Sequence, residues 1–339
     1  MGEGGWKAKL QVIRYWCGVV RYRLTHPAAY RKYLENVGAL FARIEEALIN
    51  LHGMRLGAYR HHDPRPAYKE NFPVRNSLRA GQLSFAIVTP SFNQRQYVGE
   101  TLASVVGQEH PNLQYAVMDG GSKDGSQDVI AKHVQHLSVF ASESDKGQSD
   151  AICKGFSKVS GDIMAYLNSD DMLMPGVLQY VEEYFQKHPE VDVIYGHRVI
   201  VDEHGMQIGR WILPPHSNRE TEYFDFIPQE TMFWRKRIWE KVDGIDPSFQ
   251  FAMDWDLILR FMAAGATFRR VPYYLAYFRA HNFQKSHLEF GTRGQQEIEA
   301  LLARVHHGEV DRKEFHRCSK SFRRKAILCT LLLDLGIRL

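Results

Sequence analysis

The sequence predicts an α/β fold built on a largely parallel central sheet, with helical extensions at both ends. Three observations carry this expectation. From about residue 81 to 285, short runs rich in Val, Ile and aromatics alternate with segments of helical periodicity, the pattern of buried strands joined by crossover helices. Each of the first four strand candidates ends in a cluster of Gly, Ser, Asn and Asp. Finally, 339 residues, 44% hydrophobic and 12% aromatic, suffice for one large core with appendages.

Residues 1–80 read as a basic, helical extension followed by a linker. Leu10, Ile13, Trp16, Cys17, Val20 and Leu24 recur at three- and four-residue steps, with Lys7, Arg14 and Arg21 on another face. That is an amphipathic helix with a cationic side. Between Gly4 and Glu35 there are seven basic residues and no acidic one. Such a helix packs on its own domain or lies on an anionic membrane surface, and one pattern serves both. The run from His61 to Pro66, with further breakers up to Gly81, reads as a loop-rich linker. The formal charge of +4 and a pI near 8.7 are too mild to imply a nucleic-acid partner. Four cysteines stand far apart with no C-x-x-C pair, against a zinc cage or disulfide framework and in favour of a reducing, cytoplasmic setting. No stretch approaches the roughly 20 apolar residues of a spanning helix, and no signal peptide is legible at the N-terminus.

In the middle zone, 81–285, Ser84 to Val88, Leu113 to Met118, Leu137 to Ala141, Ile163 to Leu167 and Val191 to Tyr195 are the predicted strands. Tyr97 to Gln108, Ser126 to Gln135, Asp150 to Val159 and Pro175 to Lys187 are the predicted helices. Ligands of such sheets sit beyond the carboxyl ends of the strands. Four polar clusters fall there: Thr89 to Asn93, Asp119 to Gly125, Glu143 to Asp150 and Asn168 to Asp171. Glycines permit close backbone approach, and Asp, Asn and Ser supply hydrogen bonds to a base and ribose, so a nucleotide suits the rim. Neither a G-x-G-x-x-G nor a P-loop is present. Each cluster alone is explained by turn and cap chemistry; four in register are harder to explain that way.

In order and spacing, Thr89-Pro90-Ser91-Phe92-Asn93, Asp119-Gly120-Gly121-Ser122-Lys123-Asp124-Gly125-Ser126, Asp145-Lys146-Gly147-Gln148-Ser149-Asp150-Ala151 and Asn168-Ser169-Asp170-Asp171 resemble glycosyltransferase family 2. These are inverting enzymes of the GT-A, nucleotide-diphospho-sugar transferase fold, and the resemblance covers roughly residues 83–285. It implies that Thr89, Pro90 and Asn93 border the nucleobase and ribose, that Asp119 accepts a hydrogen bond from the base, and that Gln148 and Asp150 complete the pocket. Ser91, Gly121, Ser122, Asp124, Gly147, Asn168 and Ser169 join this donor-nucleotide set. Asp170 takes the metal-binding place of a DXD-like motif, with Asp171 beside it. A departing sugar diphosphate develops negative charge, which Mn²⁺ or Mg²⁺ on hard oxygen ligands neutralises. Asn168 offers an amide where many relatives place a carboxylate.

Inversion also needs a base for the acceptor hydroxyl. Met253-Asp254-Trp255-Asp256-Leu257-Ile258-Leu259-Arg260 resembles the family's base motif, with Asp254 at the matching position. Residues two apart on a helix point to different sides, so Asp256 is expected to pair with Arg260 instead. Relatives often carry Glu where this chain has Met253. The plain alternative for Asp254 is a helix N-cap. Arg279, His281 and Lys285 fall where relatives close the diphosphate site and are candidates for phosphate or metal contacts. Gln207-Ile208-Gly209-Arg210-Trp211 spells the Q-x-x-R-W of processive, membrane-spanning relatives but precedes Asp254 here, so the match is read as coincidence. Gln229, Trp211 and Trp234 shape the acceptor pocket or, more plainly, the core.

Residues 286–339 read as a helical C-terminal extension. Arg317, Lys320, Arg323, Arg324 and Lys325 lead into Ala326 to Leu333, an apolar run too short to span a bilayer. This suits an interfacial anchor on the inner face of the cell membrane, or packing against the N-terminal helices or a second subunit of a homo-oligomer. The resulting expectation is a metal-dependent, inverting transferase. It moves one sugar from a nucleotide-sugar, a UDP-sugar by preference, to a hydroxyl of a surface glycan or lipid-linked acceptor. A catalytically silent nucleotide-sugar-binding scaffold and a metal-dependent nucleotidyltransferase are the rival readings.

Overall fold

Strand β1 (Phe85–Ser91) has all seven residues buried, as a strand covered on both faces requires. β2 (Leu113–Asp119) and β4 (Ile163–Tyr166) flank it in parallel, and β3 (Val139–Ser142) extends the sheet from β2. The helices α1 (Val98–Val106), α2 (Ser126–Ala131) and α3 (Gln148–Phe156) make the crossovers. The chain winds from β1 through β2 to β3 and then returns to the other side of β1 for β4. That reversal opens a crevice at the carboxyl ends of β1 and β4, the place where open α/β sheets bind ligands.

The computed structural model describes residues 62–73, 82–282, 284 and 293–339, all within one unit spanning Leu56–Leu339. The amphipathic N-terminal helix expected over the first residues lies outside the described residues, as does Lys285. The described sheet continues through β5 (Met172–Leu173), β6 (Val193–Val201), β7 (Gln207–Trp211), β8 (Phe233–Arg235) and β9 (Phe268–Arg279). Its order is β3-β2-β1-β4-β8-β6-β9-β5, with β7 on β6. All five predicted strands form. The other four were not legible in the sequence because β5 and β8 span only two and three residues, β7 is polar, and β9 carries Arg269, Arg270 and Pro272. They bring antiparallel pairings into the second half, while β6 and β9 run parallel.

The helices α4 (Val177–Lys187), α5 (Asn218–Thr221), α6 (Lys236–Lys241) and α7 (Met253–Ala263) complete the middle zone. The described part of the C-terminal zone holds α8 (Gln295–Val305) and α9 (Arg312–Asp334). One face of α9 packs on the main core, Phe322 lying 5.6 Å from Phe224 and 4.6 Å from Phe226 between ring centroids. No helix among the described residues is long and apolar enough to cross a membrane.

The expected linker is in part a fitted strap. Arg65 bridges Gln207 of β7, whose side chain accepts from the Tyr68 N–H at 3.1 Å and bonds His62. Phe72 stacks on Tyr180 at 5.0 Å. The Q-x-x-R-W run is structural here: Gln207 holds the strap, Arg210 pairs with Asp334 of α9, and Trp211 lies under the Arg198 guanidinium.

Candidate active site

Pro90 decides how the crevice opens. The Val88 carbonyl accepts from the Leu167 N–H at 2.9 Å, so alternation turns Pro90 to the same side, where it has no N–H to give. The β1–β4 pairing ends at Val88 and Tyr166, and Asn168 to Asp171 peels away. On the other side Ser91, Asp119 and Ser142 are register partners across three strands. The four polar clusters therefore share one rim.

Asp119 staples that rim. It is buried, and its carboxylate accepts from the Ser122 hydroxyl at 2.5 Å, the Ser142 hydroxyl at 2.6 Å, and the Ser122 and Gly121 N–H groups at 3.0 and 3.2 Å. The Ser122 hydroxyl also accepts from the Asn93 N–H at 2.8 Å, and the Asn93 side chain accepts from the Lys123 N–H at 3.0 Å. Asn93 has φ at +52°, a left-handed conformation that Asn tolerates better than most residues. Asp124 accepts from the Arg95 and Ser126 N–H groups, both at 2.9 Å, tying the first loop to the second. The third loop closes over the second, since a Cβ on Gly120 would stand 2.7 Å from Asp145. Gly147 starts α3 with φ at +110°, a conformation that L side chains rarely adopt. Next to it Gln148 donates to the Asn168 side chain at 2.6 Å, joining the third cluster to the fourth.

Some expected contacts change. Thr89 is fully buried with its hydroxyl on the Tyr115 hydroxyl at 2.8 Å, so its side chain supports the strand and does not border a nucleobase. Asp150 turns to the Lys146 N–H at 3.0 Å and to the Lys154 ammonium at 3.1 Å, which hold its carboxyl below the usual range against partial burial. Ser91 and Ser169 are buried at the rim, and the Ser91 hydroxyl has no partner among the described residues.

The acid pair divides its labour. Asp170 is partly exposed and its carboxylate lies 3.0 Å from Nε2 of His281, which is buried against the Tyr97 ring. Asp171 points inward and accepts from the Arg279 N–H at 3.0 Å; burial, then the charges of Asp170 and Glu230, push its carboxyl well above the usual range. Arg279 is not a phosphate contact in this arrangement. Its buried guanidinium donates to the carbonyls of Asp170, Glu203 and Asp202 at 3.1, 3.2 and 3.3 Å and pairs with Glu100, clamping the turn from behind. Among the described residues no three His, Cys, Asp or Glu side chains gather as a metal cage. The protein thus offers Asp170 and His281, and a hard divalent cation that keeps water and phosphate oxygens fits two protein ligands.

The base candidate stands at the start of α7. Its N-cap is Ala252, and the N–H groups of Gln250, Phe251 and Ala252 are taken by the Glu297 carboxylate of α8 at 2.7–3.1 Å. Asp254 is therefore not the cap. It is partly exposed in the first turn, its Oδ1 accepting from the Trp255 N–H at 2.9 Å. Met253 is buried with its sulfur 2.9 Å from the Ser149 hydroxyl, so this position does not face the cleft. Asp256 pairs with Arg260 as expected, and also with Arg304 of α8.

Sequence reasoning missed two carboxyls, Asp225 and Glu230, which stand in a loop and a short turn with no motif around them. Burial and, next, the Asp254 charge push Asp225 well above the usual carboxylate range. Glu230 is raised by burial, with the Arg198 guanidinium 3.4 Å away opposing it, and it feels both Asp254 and Asp170. The charges of Asp254 and Asp170 both reach Glu230, so the start of α7 and the Asp170 turn lie near one another around a buried acidic cluster; the Tyr166 hydroxyl feels Asp254, Asp225 and Glu230, and Gln229 donates to the Tyr166 carbonyl at 2.7 Å. Trp211 and Trp234 are buried core aromatics.

Residues 86–244 match the family model described as "Glycosyl transferase family 2". The chain carries a family 2 glycosyltransferase domain. The transferase is 24% identical over 232 residues to an uncharacterized glycosyltransferase of Nostoc sp., covering 64% of this chain and 71% of that protein. It is 25% identical over 188 residues to the chondroitin synthase of Escherichia coli, covering 53% of this chain but only 26% of the synthase. Among solved structures it resembles S. aureus TarS 1-349 in complex with UDP-GlcNAc, at a TM-score of 0.54 and 15% identity over 76% of each chain. It also resembles the mannosyltransferase PcManGT from Pyrobaculum calidifontis in complex with GDP-Man and Mn²⁺, at 0.51 and 14% over 92% of this chain and 87% of that one. The fold of the transferase is thus GT-A.

The raised carboxyl of Asp225 makes the stability of the transferase pH-dependent with a definite sign. The folded state binds a proton there that the unfolded chain releases near about pH 4. Its stabilising contribution is full below that pH and is lost as pH rises toward the folded-state value. Asp225→Asn is expected to raise the thermal midpoint more at about pH 8 than at about pH 5; an equal change at both would remove the buried charge as the cause.

Proposed function

We propose that the protein is an inverting, metal-dependent transferase that moves a single sugar from a nucleotide-sugar, a UDP-sugar, to an acceptor hydroxyl of a surface polysaccharide or lipid-linked glycan. The observation that carries this reading is that the charges of Asp170 and Asp254 both reach Glu230, beside a rim of four polar strand ends. The relatives support the donor class and its use in glycan synthesis: chondroitin synthase by its name, and TarS and PcManGT by the UDP-GlcNAc and GDP-Man in their complexes.

In this reading the rim from Ser91 to Asn93, Asp119 to Asp124, Gly147 to Asp150 and Asn168-Ser169 receives the nucleoside, with Asp119 holding the loops in shape. Asp170 and His281 would hold Mn²⁺ or Mg²⁺, which would supply positive charge to neutralise the departing diphosphate. Arg279 and Glu100 fix the turn that presents Asp170. Asp254 takes the acceptor proton as the hydroxyl attacks from the face opposite the leaving group. Asp225, the partly exposed member of the raised pair, offers the acceptor sugar a hydrogen bond. The setting we propose is cytoplasmic, at the inner face of the membrane; the free thiols of Cys153, Cys318 and Cys329 suit a reducing compartment.

A panel of nucleotide-sugars with Mn²⁺, assayed for nucleoside diphosphate release with and without acceptor extract, tests the reading. Release is expected with one UDP-sugar, and a chelator or Asp170→Ala should reduce it by at least about a hundredfold. Pyrophosphate release would instead assign a nucleotidyltransferase, and binding without turnover across all donors a scaffold.

A further inference from the structure

The outward face of α9 is ordered in a way the catalytic site does not use. Lys313, Arg317, Lys320, Arg324, Leu328, Leu331 and Leu335 follow one another at steps of three and four residues, and all seven are exposed. They form a single stripe along the helix. Its first half is cationic and its second half is leucine, with Leu328, Leu331 and Leu335 exposed by 54%, 47% and 74%. Just beyond, Ile337 and Leu339 are exposed as well, so five of the eight large apolar side chains exposed among the described residues stand at this one end. The opposite face of α9 is already occupied, with Cys318, Phe322, Ala326 and Cys329 in the core. The acids of the helix are turned aside, Glu314 to Arg219 and Arg317, Asp334 to Arg210.

We propose that this stripe is a lipid-docking surface, with the leucines entering the interface of an anionic bilayer and the four cations meeting lipid phosphates. Charge selects this occupant over the others. A second copy laid parallel would set cations against cations, and laid antiparallel would set cations against leucines. The basic segment between Gly4 and Glu35 of this same chain carries seven cations and no acid, so it repels the stripe and would favour the same surface. An anionic membrane satisfies both halves at once, since cations adjoining a bilayer are attracted by its surface charge and apolar side chains by its interior. The proposal adds a surface to the peripheral setting suggested above and uses no catalytic residue.

Flotation of the full chain with vesicles tests it. Binding is expected to vesicles of phosphatidylcholine containing about three-tenths phosphatidylglycerol and not to phosphatidylcholine alone. Lys320→Glu together with Arg324→Glu should weaken binding by more than about tenfold. Leu331→Ser together with Leu335→Ser should weaken it comparably and leave a remainder that high salt removes. All four positions are exposed, so thermal midpoints should match the wild type. A wild-type protein that ignores both vesicles, a charge-reversed variant that binds as well as wild type, or a wild-type dimer that the leucine variant splits would each overturn the proposal. The readout is lipid binding alone, so none of these results bears on sugar transfer.

Discussion

Asp254→Asn is expected to lower sugar transfer by about 10²–10⁴-fold while leaving donor affinity close to wild type. Asn keeps the size and shape of the side chain but cannot take a proton from the acceptor hydroxyl. The second position of α7 suits a carboxylate that must accept a proton, because it is partly exposed. Its neighbours make the contrast informative. Asp225 and Glu230 both feel its charge but are raised above the usual carboxylate range, by burial first, so they hold protons more readily than they release them. Initial rates at saturating donor and acceptor, paired with donor titration by calorimetry, separate the two effects. A variant that binds the donor and transfers at the wild-type rate would take the base role from Asp254.

The parts of the site that were legible in the sequence are those where local chemistry and global position coincide. Pro90, Asn93 and Gly147 stand out in the chain because their backbone demands are unusual, and the structure uses each at a strand end, where a break in pairing or a left-handed conformation is needed. The pairing of Asp256 with Arg260 was readable from helical spacing alone. What could not be read was which way a polar side chain turns. Thr89 and Asp171 sit in the right motifs but face inward, because strand alternation and the Arg279 N–H decide their direction, and neither is encoded in the motif. Glu230 and Asp225 lie in a stretch without periodicity, and only the tertiary fold brings them near Asp254. Glu297 and Arg304 were invisible for another reason: they act on α7 from more than 40 residues away in sequence, through side chains that look like ordinary surface charges of a helix.

Those two residues bear on the largest stability effect the structure predicts. Asp256 is fully buried, with one carboxylate oxygen 2.8 Å from Nε of Arg260 and the other 2.6 Å from Arg304. Arg260 also donates to the carbonyls of Gly244 and Val242 at 2.6 and 2.9 Å, so its guanidinium is fixed in place whether or not the acid is present. Removing the carboxylate strands two partly exposed cations, Arg260 the more enclosed of them, and breaking a pair with one buried partner in this way costs up to about 3–5 kcal/mol. Asp256→Ala is accordingly expected to lower unfolding free energy by that amount in urea titration. Arg304→Ala should cost much less, because its side chain is 43% exposed and the Arg260 pairing survives. The site should register the change too. Arg304 and Glu297 belong to one helix and hold α7 at its first turn and at the residues that lead into it, while Trp255, Leu259, Ile298 and Leu301 pack between the two helices. Loosening the Asp256 contact therefore frees the turn that carries Asp254. A destabilised Asp256→Ala enzyme, assayed well below its unfolding midpoint, should show reduced transfer at unchanged donor affinity. Wild-type rates there would show that α7 is held by its apolar contacts alone.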